Sequence, residues 1–502
     1  MTTEADLNVK AEADIGVKGA DVPPVAPEAA PPDGTPAAKP SYGALLVVLA
    51  GLFITNLDFF IVNVAIPSLQ TNMHATAAEI QLIAVTFTIG LSALLITGGR
   101  LGDIYGRRRV YSIGVALFTL ASLACGIAQN MGELIVARGF QGAAAALVIP
   151  QVLGILTTTY SGKHRAVAFN AYGIALGAAA VFGQLIGGLL IKADVFGMDW
   201  RTIFLINVPI GVLVLVLTPK LVPESKSEGR TGLDLIGVLL VTAGLTAVVL
   251  PLVIGREEGW PTWTWLCMAA AVPLLAAFWF SQRRLAAGGK SPLVSPSLFH
   301  DRAFGVGSVT ILVYFSVMAS FFLVLALYLQ QGHGTSALES GLLFVPLGLG
   351  FFVASAMAPK FAAKLGRQAL ALGALVVAAG DVAFAQTASA LGTTGSVGWC
   401  VPAMVVCGFG MGLVVAPLTS LVLEGVAPGH AAAASGVFST GQEMGNALGI
   451  AVIGVVFFDQ VGEHPSAQGY TDGFGFSLYV QAGICVLVAV LVQFLPRKAE
   501  KV

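Results

Sequence analysis

Four ionisable side chains stand inside long apolar stretches of this sequence: Asp58, Arg138, Asp381 and Glu443. Asp234 and Glu339 stand closer to the ends of such stretches. A charge at bilayer depth costs about 3 kcal/mol even on lenient scales, so residues of this kind mark function or internal pairing. The histidines (His74, His164, His300, His333, His430 and His464) all fall in connecting segments. A proton carried through the apolar region would therefore ride on a carboxyl group.

Asp58, in the middle of the first apolar stretch, is a candidate for handling a proton or a cation; a satisfied buried pair is its structural alternative. Arg138 is either a coupling residue or a structural partner for a carboxylate. Glu443 stands among Gly441, Gly445 and Gly449 and could take a cationic substrate or a proton. Asp381 could line a wet crevice or contact substrate. The glycines recurring every four residues form a small face that lets helices approach closely.

These residues need elements to hold them. Fourteen apolar stretches of spanning length are present, at roughly 43–67, 79–101, 110–128, 134–158, 167–191, 203–222, 233–255, 263–281, 305–329, 339–359, 369–389, 399–422, 436–458 and 476–495. Lipid offers the backbone no hydrogen-bond partner, so each must be a helix. The alternation of charge supports the count. Of the 26 Lys and Arg, Lys192, Arg201 and Arg256 fall on one side, Arg138 lies within a span, and all others fall on the opposite side. By the excess of positive charge in cytoplasmic loops, both termini are expected in the cytoplasm.

Composition agrees. The chain of 502 residues is 56% hydrophobic and 11% charged, against about 25% charged in a soluble domain, and its mean hydropathy is +0.85. A net charge of −1 gives no reason to expect a nucleic-acid partner. The five cysteines lie in apolar stretches without a C-x-x-C pair, and no histidine spacing suits a metal. No Walker loop, zinc-protease motif or nucleophile elbow occurs, so enzymatic turnover has no candidate site. Residues 1–40, rich in Ala, Pro and Glu, read as a disordered cytoplasmic tail. The Ala/Gly/Val-rich composition suggests a bacterial source and hence the plasma membrane. Trp260, Trp263 and Trp265 cluster where an interfacial belt is expected.

The loop after the second stretch reads Gly99-Arg100-Leu101-Gly102-Asp103-Ile104-Tyr105-Gly106-Arg107-Arg108-Arg109. Gly106 suits a tight turn through positive φ or close approach, and Asp103 can pair with a basic neighbour. Gly366-Arg367 echoes Gly106-Arg107 after the second stretch of the other half. This loop resembles the signature loop of the major facilitator superfamily. The likeness extends from about Ser41 to the end. Leu57-Asp58-Phe59-Phe60 through Pro67 is similar to the first-span motif of the 14-span drug/proton antiporter branch. Arg138-Gly139-Phe140-Gln141-Gly142 resembles the superfamily's arginine motif. Trp200-Arg201 through Asn207 and Gly211, Tyr328 through Pro346, and Ala434-Ser435-Gly436 add to it. One departure stands in the fifth span, where Gln184 in Gly183-Gln184-Leu185-Ile186-Gly187-Gly188 replaces the branch's proline.

The resemblance implies an all-α membrane protein of major facilitator fold: an N-terminal six-helix half (41–222), two extra central spans with their loops (223–304) and a C-terminal six-helix half (305–502). It implies a proton-coupled exporter of amphiphilic, possibly cationic drugs or antibiotics, working by alternating access, powered by the proton gradient without a cofactor, and acting as a monomer. Proton coupling would fall to Asp58, Arg138 and Glu443. Apart from the resemblance, the polar residues inside the apolar stretches put the expected substrate contacts at Asp58, Gln141, Gln184, Asp381 and Glu443. Gly99, Asp103, Gly106, Arg107 and Arg108 would form the gating loop. A dedicated exporter of one metabolite or self-made antibiotic, and a non-transporting membrane receptor or scaffold, are the alternatives.

Overall fold

The structure, a computed structural model, describes residues 42–160, 162–226, 234–255, 258–290, 292–294, 296, 299, 301–424, 431–462 and 464–495. The expected tail at 1–40, Arg230, Arg256 and the side chains of Lys163, Arg165 and 434–436 lie outside these residues. All regular structure among the described residues is helical.

The helices follow the expected stretches in order. They are α1 (Tyr42–Met73), α2 (Ala77–Tyr105), α3 (Arg107–Ile127), α4 (Met131–Thr159), α5 (Gly162–Ala193), α6 (Asp199–Leu221) and α7 (Leu235–Ile254). Then come α8 (Thr262–Ala287), α9 (Arg302–Gly332), α10 (Ala337–Leu365), α11 (Gln368–Leu391), α12 (Val401–Glu424), α13 (Ala431–Val461) and α14 (Ala467–Val492). Among the described residues, 13 helices are individually long and apolar enough to cross a membrane. The bent α5, turning by 44° between its two parts, makes up to 14. That bend occurs although Gln184 stands where the resemblance expects proline; Gly183, Gly187 and Gly188 surround it.

Local chemistry sets the helix ends. Thr76 with Glu79, and Ser336 with Glu339, form capping boxes that satisfy the first free N–H groups of α2 and α10. Asn130, Asp234, Asp301 and Ser466 cap α4, α7, α9 and α14. Gly106, at φ 106°, turns the chain from α2 to α3, a conformation that disfavours a side chain. Gly366, at φ 55°, does the same between α10 and α11.

The two six-helix groups use the same contacts. α2 packs on α4, α4 on α3, and α1 on α5 and α6; α10 packs on α12, α12 on α11, and α9 on α13 and α14. The correspondence reaches single residues. Gly90 admits the carbonyl of Gly139, as Gly350 admits that of Val405. Gly142 lies against the Phe87 carbonyl, as Gly408 lies against that of Leu347. Gly114 faces Leu147 and Val148, as Gly373 faces Leu413 and Val414. A side chain in place of these glycines would force the helices apart. The two groups meet where α2 crosses α13 and α5 crosses α10. α7 and α8 pack on one another, with α7 also touching α2 and α13. Only 11% of the apolar window of α8 is covered by protein, so that helix faces lipid.

The apolar core is divided unequally. At the end opposite the Gly106 and Gly366 turns, one cluster joins both groups, from Leu57 and Ile61 on α1 to Phe322 on α9, Phe344 on α10 and Phe457 on α13. Towards the basic turns, each group keeps a cluster of its own: Leu45 to Val222 in the first, and Phe304 to Leu495 in the second. The two groups are thus sealed together at one end and separately packed at the other.

Candidate transport site

Asp58, on α1, is fully enclosed. Its Oδ1 accepts hydrogen bonds from Gln141 Nε2 at 2.9 Å and Asn207 Nδ2 at 2.8 Å. Its Oδ2 is paired with Arg138 Nη1. Arg138 also donates from Nη1 to Gln141 Oε1 at 2.6 Å and from Nε to the Ile83 carbonyl at 3.2 Å. Ser122 Oγ accepts from Gln141 Nε2 at 2.8 Å. The network draws on α1, α3, α4 and α6, so the first group's packing assembles it. A charge pair taken wholly out of water persists only when such additional bonds satisfy it. Arg138 Nη2 and Asn207 Oδ1 nevertheless remain without a hydrogen-bond partner.

One aromatic ring separates this network from a cavity. The Arg138 guanidinium lies over the Phe87 ring at 4.3 Å, and Phe87 lines the cavity. The cavity is partly open to solvent, and about 470 Å³ of empty space lies within and before its walls. Its walls come from both groups: Thr55, Asn56, Phe59 and Phe60 of α1, Phe87 and Leu91 of α2, and Ile149 of α4. Phe315, Met318 and Ala319 of α9, with Gln442, Glu443 and Asn446 of α13, complete it. Glu443 is its carboxylate and accepts from Asn446 Nδ2 at 3.2 Å. A predominantly apolar pocket with a few convergent polar groups is the usual form of a small-molecule site.

The remaining expected site residues are distributed elsewhere. Asp58, Arg138 and Gln141 form the network behind the cavity wall, and Glu443 lies on the wall itself. Gln184 does not line the cavity. Its Nε2 donates to the Phe60 carbonyl at 3.0 Å, tying α5 to α1 where the helices cross so closely that a Cβ on Gly183 would lie 3.2 Å from the Leu57 carbonyl. Asp381 does not line the cavity either; it is enclosed between α11 and α12, where Cys407 Sγ lies 3.5 Å from its Oδ1.

The α2–α3 turn is clamped to the segment after α6. Arg107 Nη2 bonds Asp103 at 2.7 Å. The Arg107 backbone N–H reaches the Ser225 carbonyl at 2.8 Å, and the Arg108 N–H reaches Glu224 Oε1 at 3.0 Å. The Glu224 carboxylate lies 2.7 Å from where a Cβ on Gly106 would be. Gly99 has its nearest neighbour in Pro150 of α4, 3.6 Å from the same hypothetical atom. Sequence reading passed over Asn207, Ser122, Glu224, Asn56 and Asn446. Asn207 carried a signal, since it stands in the quoted motif of α6; the others are ordinary polar residues in their stretches.

Residues 48–450 match the Major Facilitator Superfamily. The chain is 39% identical over 459 residues to the "Probable actinorhodin transporter" of Streptomyces coelicolor, covering 89% of this chain and 79% of that protein. It is 34% identical to the "Cephamycin export protein CmcT" of Amycolatopsis lactamdurans, covering 91% and 93% of the two chains. Its fold is similar to that of a bacterial homologue of the human lysosomal transporter Spinster, at TM-score 0.66 and 17% identity, covering 91% of this chain and 97% of that one. The chain belongs to the Major Facilitator Superfamily. It is a multi-pass membrane transporter of small molecules rather than an enzyme.

Proposed function

We propose that this protein exports amphiphilic aromatic compounds, drugs or antibiotics among them, across the bacterial plasma membrane in exchange for protons. The observation that carries this reading is the cavity between the two groups, walled by Phe59, Phe60, Phe87 and Phe315 and bearing Glu443. Rings stack on planar substrates, and a carboxylate attracts a cationic substituent. The relatives named for actinorhodin transport and cephamycin export support antibiotics as cargo, and the second supports the outward direction.

In this reading the basic turns and both termini face the cytoplasm, so the cavity belongs to the cytoplasm-facing state. Substrate enters there while Asp58 is paired with Arg138. A proton arriving at Asp58 from outside removes the charge that holds Arg138, Gln141 and Asn207 in place, and α1, α4 and α6 then repack. Moving one charge across 100 mV supplies about 2.3 kcal/mol, close to a fiftyfold gradient at about 1.4 kcal/mol per tenfold. A monovalent cation exchanged for one proton moves no net charge and draws on the pH gradient alone. One chain suffices, and no cofactor is required.

Ethidium efflux from energised cells lacking their own pumps tests this. The wild type should extrude the dye, and both Asp58→Asn and an uncoupler should reduce uphill efflux at least about tenfold, the loss of roughly 1.4 kcal/mol of coupling. Undiminished efflux in both cases would overturn proton coupling. The named products of the relatives favour a second reading, a dedicated exporter of one compound. A well-expressed protein that moves no dye but lowers the cellular content of a single aromatic metabolite would decide for it.

A further inference from the structure

The segment that joins α8 to α9 touches both six-helix groups at the end where each keeps its own apolar cluster. The Pro292 carbonyl accepts from the Arg100 guanidinium, at the basic end of α2 in the first group. Two residues on, Val294 packs against the apolar cluster of the second group, and Leu293 between them is buried. The Phe299 ring lies 5.5 Å from that of Phe304, at the start of α9. Side chains thus fix the segment to the second group, and a carbonyl ties it to the first.

The two extra spans hold the segment in this place. Gln282 of α8 accepts at Oε1 from the Val294 N–H at 3.0 Å and donates from Nε2 to Asp234 Oδ2 at 2.7 Å. Asp234 caps α7 by accepting from the Gly237 N–H at 2.8 Å, and its carboxylate also faces Arg100. Trp279 of α8 meets the Phe299 ring at 5.5 Å between centroids. Gln282 is fully buried, although it stands on the helix that otherwise faces lipid. An enclosed amide is tolerated when both of its polar ends are bonded. Here one bond serves the segment directly, and the other joins it to α7 and Arg100 through Asp234.

A hydrogen bond to a carbonyl holds only over about 2.7–3.2 Å. Closing an opening wide enough for an aromatic substrate moves the groups by much more than that range. The segment is bound to α8 through Gln282 and to the second group through Val294 and Phe299, so it does not travel with α2. We propose that the α8–α9 segment is a strap that latches the protein with its basic end open, with Arg100 as the catch and α7 and α8 as the mount. The Arg100 contact parts when the basic end closes and the sealed end opens. The two extra spans thereby set the balance between the two states without lining the cavity. The strap rests on alternating access as read above, but not on the identity of the substrate or on coupling through Asp58.

Spin labels at Thr71→Cys and Gln468→Cys, exposed positions at the sealed end of each group, report that balance in the reconstituted full chain, with half-buried Cys267 replaced by serine. Arg100→Gln removes the catch and should raise the ratio of long to short distances about tenfold, the equivalent of about 1.4 kcal/mol. Gln282→Leu, which frees the Val294 N–H and leaves Arg100 in place, should shift the ratio the same way and serves if the first variant does not fold. Arg109→Gln removes the same charge from an exposed position near the turn and should leave the ratio unchanged. Distances unchanged in both strap variants, a shift towards the sealed state, or an equal shift in Arg109→Gln would overturn the proposal. Dye efflux that ignores the uncoupler, beside the expected shift in distance, would strike the reading of function and leave the strap in place.

Discussion

Asp58 and Arg138 stand 80 residues apart in the chain and meet with both side chains at 0% exposure. Removing one member of such a pair leaves a buried charge unpaired, at a cost of about 3–5 kcal/mol. Asp58→Asn limits that cost because its amide oxygen can still accept from Arg138, which is why it is the variant chosen for the efflux test. Glu443 answers a different question, since it is the carboxylate on the cavity wall. For a cationic dye, Glu443→Gln removes a charge-assisted contact worth about 1.5–3 kcal/mol. The dye concentration for half-maximal efflux should rise about tenfold to a hundredfold. A neutral aromatic substrate should be affected much less. Equal losses for both would place Glu443 in coupling rather than in substrate binding. The acids were legible in the sequence because a charge in an apolar stretch is conspicuous. Ser122 and Asn56 were not, because nothing in their local sequence says which way a helix face will turn; Asn207 was marked only by its place in the α6 motif.

Among the elements, the crossings of α2 with α4 and of α10 with α12 depend on glycine. A Cβ at Gly142 or Gly408 would collide with the backbone of the partner helix at Phe87 or Leu347. Gly142→Ala should destabilise the protein by about 1–3 kcal/mol through overpacking. The loss should appear as a lower unfolding temperature in detergent, and Gly408→Ala should match it. Gly475→Ala, where a Cβ meets nothing within 4 Å, is the control. Gly142 also follows Gln141 directly, so Gly142→Ala should weaken transport beyond its effect on stability, whereas Gly408→Ala should not. The sequence marked these helices by length and hydropathy, and Gly106-Arg107 with Gly366-Arg367 hinted at the repeat. Gln184 shows the limit of such reading. Its polarity suggested a substrate contact, yet α5 lies so close to α1 that its amide is taken by the Phe60 carbonyl.

For the molecule as a whole, the decisive feature is that one end is sealed across the two groups. Phe60 meets Phe322 across the junction at 5.0 Å between ring centroids, and Gln331 Nε2 donates to Gln70 Oε1 at 2.7 Å. A disulfide formed between Gln70→Cys and Gln331→Cys should therefore lock the sealed state and stop transport. Reduction should restore transport to nearly the uncrosslinked rate. Continued transport with the disulfide fully formed would show that this end does not open in the cycle.

The sequence by itself determined the membrane setting, the fourteen helices, the sidedness of positive charge and the presence of buried acids. Each is a local property, written in hydropathy, length and charge along the chain. Tertiary structure decided which acid has a cation and which does not. Arg138 pairs with Asp58, while among the described residues Asp381 faces Cys407 and no cation, a difference that only the packing of helices distant in sequence reveals. It also decided that Glu443 faces the cavity and Asp381 faces the interior of the second group. Both are carboxyls in apolar helices, and only packing between helices distant in sequence sets the environment that separates their chemistry.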